Sequence, residues 1–340
     1  DRSPSRGLGD VYKRQAIWIG TDKGLALFNP HKEQFITFQN QQENPNSLLS
    51  NQINDIGESR DGKLWVCAHM GGVSILDLND NVFTSPENMH FQNIRVTNDL
   101  HGISSPNAKC FLQDSFGNIW LGNYRGGVDF LSYNQPVFQT LAYNTLKDGT
   151  LTDKQVWGIA LDNKSRIWLG GENGDIWQIT PQGHTNYSLN TDRIYKVASD
   201  TLLEQTPICW IGIRNSGLQK WKLQKGDTRQ IDVFPIPHKQ YNYSVYDIII
   251  HDTTVYTATS QGLYAMSRSG NERLCLIYPD STSETACAGK PFIINNLQRF
   301  RNEYLLCATQ NGMVKMNLAT HQVKTSHESE SILNLYVEGD

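Results

Sequence analysis

The sequence has few charged residues, no long apolar run and no block of basic residues. Asp, Glu, Lys and Arg make up 19% of its 340 residues, and the formal net charge is −4. These values argue against a general affinity for phosphate backbones, so we expect no nucleic acid among its partners. No apolar segment reaches the roughly 20 residues of a membrane-spanning helix, and no signal segment opens the chain. We expect membrane attachment only through other parts of a longer parent protein.

Motifs of catalysis and of metal binding are also absent. The sequence contains no G-x-S-x-G, no H-E-x-x-H, no P-loop and no Rossmann fingerprint. Its six cysteines form neither a CxxC pair nor a zinc-type spacing, and we predict that most are small buried core residues. We therefore expect no cofactor, no metal and no enzymatic activity in this piece.

Gly, Trp and Tyr are plentiful instead, and large apolar residues, mostly tryptophans, recur along the sequence at a long and nearly regular interval. A short apolar segment such as Ile119-Trp120-Leu121-Gly122 recurs seven times, at intervals of 42 to 55 positions. This period is typical of four-stranded propeller blades, which repeat every 40 to 50 residues or so. We predict that the large residues are structural anchors wedged between blades, each stabilising the ring by at most about 5 kcal/mol. The anchors are Trp18, Trp65, Trp120, Trp168, Trp210, Tyr256 and the weaker Leu305.

A glycine follows every anchor by six or seven positions, and an alternating apolar segment follows the glycine. Glycine supplies the positive φ of a tight hairpin turn, and period-two alternation is typical of a strand. These glycines are Gly24, Gly72, Gly127, Gly174, Gly217, Gly262 and Gly312. The predicted fold is all-β: a seven-bladed β-propeller of four-stranded antiparallel blades.

The two ends of the sequence differ from the repeats between them. Residues 1–15 have no periodicity, so we interpret them as a disordered or extraneous leader and residues 16–340 as the propeller. The first repeat begins at its anchor strand, whereas residues 332–338 have the pattern of an inner strand without an anchor. We predict that the C-terminal strand pairs with the first blade and closes the ring.

Several segments resemble the two-component regulator propeller repeat. They are 48–53, 61–66 and 71–73, and more closely Gly117–Val128. The resemblance implies the periplasmic sensor region of a bacterial hybrid two-component histidine kinase. In that family, propellers precede a β-sandwich, a membrane span and a kinase, often as two consecutive propellers, and commonly sense oligosaccharides.

In a propeller, the turns that follow the anchor strands crowd one face around the central channel. We predict that these turns bind the ligand, because their amides, charges and aromatic ring suit sugar hydroxyls or the polar rim of a protein. Tyr124 and Arg125 are the strongest pair, since a ring stacks on a sugar face while a guanidinium binds hydroxyls or a carboxylate. The candidate ligand-binding residues are Tyr124, Arg125, His69, Glu172, Arg214, Asp22 and Asn215.

Three functions compete. The first is a ligand-sensing module that binds an oligosaccharide or another small polar ligand, with a second propeller or a homodimer partner beside it. The second is a propeller enzyme, a lyase or glycosidase, in which Asp22 and Glu172 would face each other across the channel. The third is a protein–protein interaction scaffold, although the Gly-His and Trp-Asp signature of WD propellers is missing.

Overall fold

The structure is a computed structural model. It describes residues 17–29, 32–78, 86–97, 102–133, 135–141, 155–162, 164–180, 183–188, 191–200, 208–223, 229–235, 243–270, 275–278, 292–327 and 331–337. The predicted leader, 1–15, lies outside the described residues.

The described part of the chain forms seven antiparallel four-stranded sheets, one for each blade. This confirms the predicted all-β, seven-bladed propeller. In chain order the strands of the first four blades are β1 (Ile17–Thr21), β2 (Leu25–Asn29) and β3 (Gln34–Phe38); β4 (Ile53–Ser59), β5 (Lys63–Ala68), β6 (Gly72–Asp77) and β7 (Gln92–Ile94); β8 (Ala108–Gln113), β9 (Ile119–Asn123), β10 (Gly127–Ser132) and β11 (Gln135–Leu141); β12 (Val156–Leu161), β13 (Ile167–Gly171), β14 (Asp175–Thr180) and β15 (Gly183–Ser188).

The last three blades follow the same order of inner, anchor, post-glycine and outer strand. Their strands are β16 (Ile194–Asp200), β17 (Ile208–Ile213), β18 (Gly217–Leu223) and β19 (Arg229–Phe234); β20 (Val245–His251), β21 (Thr254–Thr259), β22 (Gly262–Ser267) and β23 (Cys275–Tyr278); β24 (Ile294–Phe300), β25 (Tyr304–Thr309), β26 (Gly312–Asn317) and β27 (Val323–His327). A final strand, β28 (Ile332–Val337), is the inner strand of the first blade, and a short 3-10 helix spans Pro86–Asn88.

The anchor strands are the most deeply buried part of each blade. All five residues of β9 and of β13 are buried, because neighbouring sheets cover both faces. The outer strand β3 is instead largely exposed along its length. The hairpin glycine Gly72 has a φ of 105°, and a Cβ there would lie 2.4 Å from the carbonyl oxygen of Ile94. That turn therefore requires glycine.

The anchors lie between consecutive blades. Trp168 of the fourth blade is 1% exposed and packs with Ile194, Val197 and Ile211 of the fifth. The same arrangement recurs around the ring, with one hydrophobic cluster at each blade boundary. Trp18, Trp65, Trp120, Trp168, Trp210 and Tyr256 are all buried.

Buried carboxylates hold the indole rings of several anchors. Asp162, at the end of the inner strand, accepts a hydrogen bond of 3.0 Å from Nε1 of Trp168. Asp114 does the same for Trp120 at 2.9 Å. The equivalent bond in the fifth blade runs from Trp210 to an aspartate at 3.1 Å. Because a buried N–H is costly to leave unpaired, these bonds fix the position of each wedge.

The ring closes through β28. Its residues pair with β1 in antiparallel register, from Ile17 opposite Val337 to Gly20 opposite Asn334. The Nδ2 group of Asn334 also donates to Oδ1 of Asp55 at 2.9 Å, which joins the first blade to the second. The predicted pairing of the C-terminal strand with the first blade is thus confirmed.

The cysteines follow the sequence prediction where the structure describes them. Cys67, Cys110, Cys209 and Cys307 are buried, and burial raises the pKa of their thiols. Cys275 is exposed. Cys287 lies outside the described residues. Among the helices of the described ranges, none has the length and apolar character to cross a membrane.

Candidate functional site

The seven inner strands surround a central cavity of about 600 Å³. The first residue of each inner strand pairs with the end of its anchor strand, as Val156 does with Gly171. The turns after the anchor strands therefore lie at the same end of the ring as the first inner-strand residues. We call this end the channel mouth.

Every inner strand carries a β-bulge at its second residue. In β12, for example, Val156 pairs with Gly171 and Gly158 with Gly170, so Trp157 has no partner in the ladder. A bulge re-aims the extra side chain, and these side chains all line the cavity. The seven bulge residues, which we call the mouth ring, are Asn54, Lys109, Trp157, Tyr195, Tyr246, Asn295 and Leu333.

Four aromatic side chains form a continuous arc across the third to the sixth blade. Trp157 meets Tyr124 edge to face at 6.0 Å between ring centroids and meets Tyr195 in the same way at 5.9 Å. The Tyr195 ring lies 5.1 Å from that of Tyr246. Each of the four is partly exposed, unlike the buried anchors. We call Tyr124, Trp157, Tyr195 and Tyr246 the aromatic crescent.

An arginine packs against the central ring of the crescent. The guanidinium carbon of Arg193 lies 3.8 Å from the centroid of the Trp157 ring and covers one of its faces. Its Nε and Nη2 groups donate to the two carboxylate oxygens of Glu172 at 2.6 and 2.5 Å. A bidentate pair of this kind fixes the planes of both groups. The crescent is therefore held in place before any ligand arrives.

A lysine also lies close to the Trp157 ring. The ammonium of Lys109 is 5.0 Å from the Trp157 ring centroid and donates to Oδ1 of Asn54 at 3.1 Å. Burial, and after it the positive charge of Arg193, holds the pKa of Lys109 below its usual value. In the described ranges Lys109 has no carboxylate partner.

One step deeper in the channel, a second set of polar side chains ties the blades together. Lys196 and Asp247 form an ion pair of 2.7 Å, and Asp247 also accepts from the backbone N–H of Leu297 at 2.9 Å. Asp55 accepts from the N–H of Phe111 at 2.7 Å. Burial raises the pKa of Asp55 to about 6. These two carboxylates bind the backbone of the next blade, which is a structural role.

The structure gathers most of the sequence-predicted residues near the crescent. Tyr124 belongs to it, Glu172 holds Arg193, and the guanidinium carbon of Arg125 lies 5.3 Å from the Tyr124 ring. Arg214 is exposed on the fifth blade, next to Asn215, whose side chain donates to Oδ2 of Asp192 at 3.0 Å.

Two predicted residues lie elsewhere on the same face. Asp22 is on the first blade and His69 on the second, outside the third to sixth blades that carry the crescent. Asp22 and Glu172 are three blades apart, and Glu172 is engaged by Arg193. The pairing of Glu172 with Arg193 does not favour the free acid and base that the enzyme hypothesis needs.

Sequence reasoning missed the inner-strand half of the site. Trp157, Tyr195, Tyr246 and Lys109 occupy the same position in successive repeats, directly after the first apolar residue of the inner strand. Aligning the repeats on that residue shows the shared position, but not the direction in which the side chains point. Arg193 lies in the loop just before its strand, where no repeat position marks it.

The profile of the family described as two component regulator propeller matches residues 102–125, the segment that ends with Tyr124 and Arg125. Histidine kinase P4 from Formosa agariphila is 28% identical over 235 residues, which are 64% of this chain and 15% of that protein. Residues 102–125 are thus similar to the two-component regulator propeller repeat.

Solved structures with the same fold include extracellular domains of hybrid two component systems from B. thetaiotaomicron. The extracellular domain described as that of the hybrid two component system BT3049 from B. thetaiotaomicron matches with a TM-score of 0.55 and 15% identity, over 93% of this chain and 50% of that one. The corresponding domain of BT4673 matches with a TM-score of 0.63 and 13% identity, over 95% of this chain and 49% of that one. At these identities the likeness concerns the fold. The chain spans about half the length of these domains.

Proposed function

We propose that this regulator propeller is the ligand-sensing module of a two-component receptor and that it binds an oligosaccharide at the channel mouth. The aromatic crescent is the observation that carries the proposal. Three of its partly exposed rings, Trp157, Tyr195 and Tyr246, line a cavity of about 600 Å³, a volume in the range of small-molecule sites. The fourth ring, Tyr124, packs edge to face on Trp157.

The crescent has the chemistry that a sugar requires. Its rings offer apolar faces to the C–H side of a pyranose, and the tyrosine hydroxyls offer donors and acceptors to its O–H groups. Arg193 already covers one face of Trp157. We therefore assign stacking on sugar rings to Tyr124, Tyr195 and Tyr246. We assign to Trp157 the role of fixing the orientation of the neighbouring rings of Tyr124 and Tyr195.

The carboxylates near the crescent favour binding over turnover. Glu172 is paired with Arg193, and Asp192 accepts from the side chain of Asn215. Asp55 and Asp247 hold backbone groups of adjacent blades. A glycosidase or lyase needs an acid and a base free to reach the substrate, and each of these groups has a structural partner.

The parent protein follows from the same resemblance. We propose a periplasmic location, since the matching solved domains are described as extracellular. Transmission of the signal would involve a second propeller or a homodimer partner, and membrane contact would come through other parts of the receptor.

Thermal denaturation with a panel of oligosaccharides tests this function. A ligand at 100 times its dissociation constant stabilises the folded state by about 2.7 kcal/mol, which raises the melting temperature by a few degrees. Tyr195→Ala should abolish that rise and leave the ligand-free melting temperature within about 2 °C, because Tyr195 is partly exposed.

The matched control is Phe116→Ala. Phe116 is 69% exposed and lies in the turn between β8 and β9, at the opposite end of the blade from the channel mouth. It should keep the ligand-induced rise. The proposal fails if no oligosaccharide raises the melting temperature, or if Tyr195→Ala binds as well as the unchanged protein.

A further inference from the structure

Three cations surround the crescent without a carboxylate to neutralise them. Lys109 contacts only the side-chain oxygen of Asn54 and the Trp157 ring, and Arg125 contacts the Tyr124 ring. Arg214 is exposed, with only its backbone N–H bonded. None of the three forms an ion pair in the part of the chain that the structure describes.

Among the described residues, the carboxylates next to the crescent are engaged, while Asp22 lies on the first blade, outside the third to sixth blades that carry the crescent. Glu172 pairs with Arg193, and Lys196 with Asp247. Asp192 accepts from Asn215 and from the backbone N–H of the residue after it. Among the residues that the structure describes, the free charge beside the aromatic rings is therefore positive, although the chain as a whole carries a formal net charge of −4.

Lys109 is the best-defined of these cations. It is only partly exposed, and its ammonium lies against an indole ring that also carries the guanidinium of Arg193 on its face. Two cations at one ring repel each other, and the lowered pKa of Lys109 reflects its burial and that repulsion. An anion beside Lys109 would relieve both costs through a charge-assisted hydrogen bond.

From this geometry we propose that the saccharide bound at the channel mouth is acidic, and that its carboxylate or sulfate group binds the ammonium of Lys109 beside Trp157, with Arg125 on the same flank. This inference rests on the proposed function and narrows it to a chemical class of ligand. Neutral glycans would find the stacking surface but leave the ammonium without its counter-ion.

Isothermal titration with matched pairs of ligands tests the inference. Each pair consists of a uronic acid oligosaccharide and the same oligosaccharide with its carboxyl groups reduced to alcohols, and a sulfated oligosaccharide is added to tell the two anions apart. We expect the acidic member to bind about 10- to 100-fold more tightly, the usual worth of a hydrogen bond between charged groups. Its affinity should also fall as salt rises.

Substitutions then locate the anionic group. Lys109→Met keeps the stem over the Trp157 ring and should remove most of the preference for the acidic ligand, while the affinity for the reduced ligand stays within about twofold. Lys109→Arg should keep the preference. Lys23→Met, which removes an exposed lysine from the same face on the first blade, is the control and should change neither affinity.

The outcomes separate the two proposals. If reduced oligosaccharides bind as tightly as acidic ones, or if Lys109→Met keeps the full preference, the acidic-ligand inference is wrong while oligosaccharide sensing stands. If no oligosaccharide of either kind binds, the proposed function fails and this inference fails with it.

Discussion

Replacing Asp162 by alanine should be among the most destabilising single changes in this propeller. Its side chain is fully buried and accepts four hydrogen bonds. Oδ1 accepts from the backbone N–H groups of Lys164 and Arg166, and Oδ2 accepts from Arg166 Nε and Trp168 Nε1. Alanine would remove all four acceptor interactions and leave two side-chain donors without a partner.

The magnitude follows from what remains buried. Breaking a buried charged pair by removing one member costs about 3–5 kcal/mol, and the bond to the indole accounts for about 1.5–3 kcal/mol of it. Trp168→Phe removes the same hydrogen bond by removing its donor. The smaller ring costs about 2 kcal/mol more in free energy of unfolding. The double variant should therefore be less destabilised than the sum of the two single variants by about 1.5–3 kcal/mol.

Urea denaturation followed by circular dichroism measures the four free energies of unfolding in this cycle. Asp77→Ala is the control, because it removes an exposed strand carboxylate and should cost less than about 0.5 kcal/mol. Additivity of the Asp162 and Trp168 changes within about 0.5 kcal/mol would refute the view that the carboxylate holds the wedge in place.

Two further predictions concern the channel and a hairpin. The Asp55 carboxyl binds its proton more tightly in the folded protein, because burial raises its pKa from the usual 3.8 to about 6. Its contribution to the unfolding free energy should therefore decrease by about 3 kcal/mol as the pH rises from about 4 to 6 and stay constant above. Asp55→Asn should flatten that segment of a stability-against-pH curve, and an unchanged slope would contradict the assignment. Gly72→Ala should cost about 1–3 kcal/mol in urea denaturation, because the new Cβ would lie 2.4 Å from the Ile94 carbonyl oxygen. Gly62→Ala is the control, because Gly62 also has a positive φ, of 76°, but no atom lies within 4 Å of the new Cβ. If the two variants lose the same free energy of unfolding, the positive φ alone explains the loss and the contact with Ile94 contributes nothing.

The fold was predictable because its signals are local and repeated. Anchor, glycine and alternating strand recur within some 15 residues of each other in every blade, and strand pairing between neighbours in sequence needs no long-range information. The incomplete first repeat and the extra C-terminal strand were enough to predict how the ring closes. The hydrogen bonds from the anchor indoles to Asp114 and Asp162 could also have been predicted, since each aspartate precedes its anchor tryptophan by six positions.

The site was only half predictable. Tyr124, Arg125 and Glu172 follow anchor strands directly, so a repeat alignment places them on the face of the channel mouth. Trp157 and Tyr195 look like ordinary alternating strand residues in sequence. Their direction depends on the bulge, which arises from the register between two strands and leaves no mark in a single strand. The pairing of Glu172 with Arg193 depends on the approach of two blades, which no local pattern encodes.

The most direct test of the account is a crystal structure of this propeller with the tightest-binding acidic oligosaccharide. The account predicts that a sugar ring lies against Tyr195 at the channel mouth, with its anionic group within hydrogen-bonding distance of the Lys109 ammonium. A ligand bound on the outer strands, or at the opposite end of the channel, would contradict it.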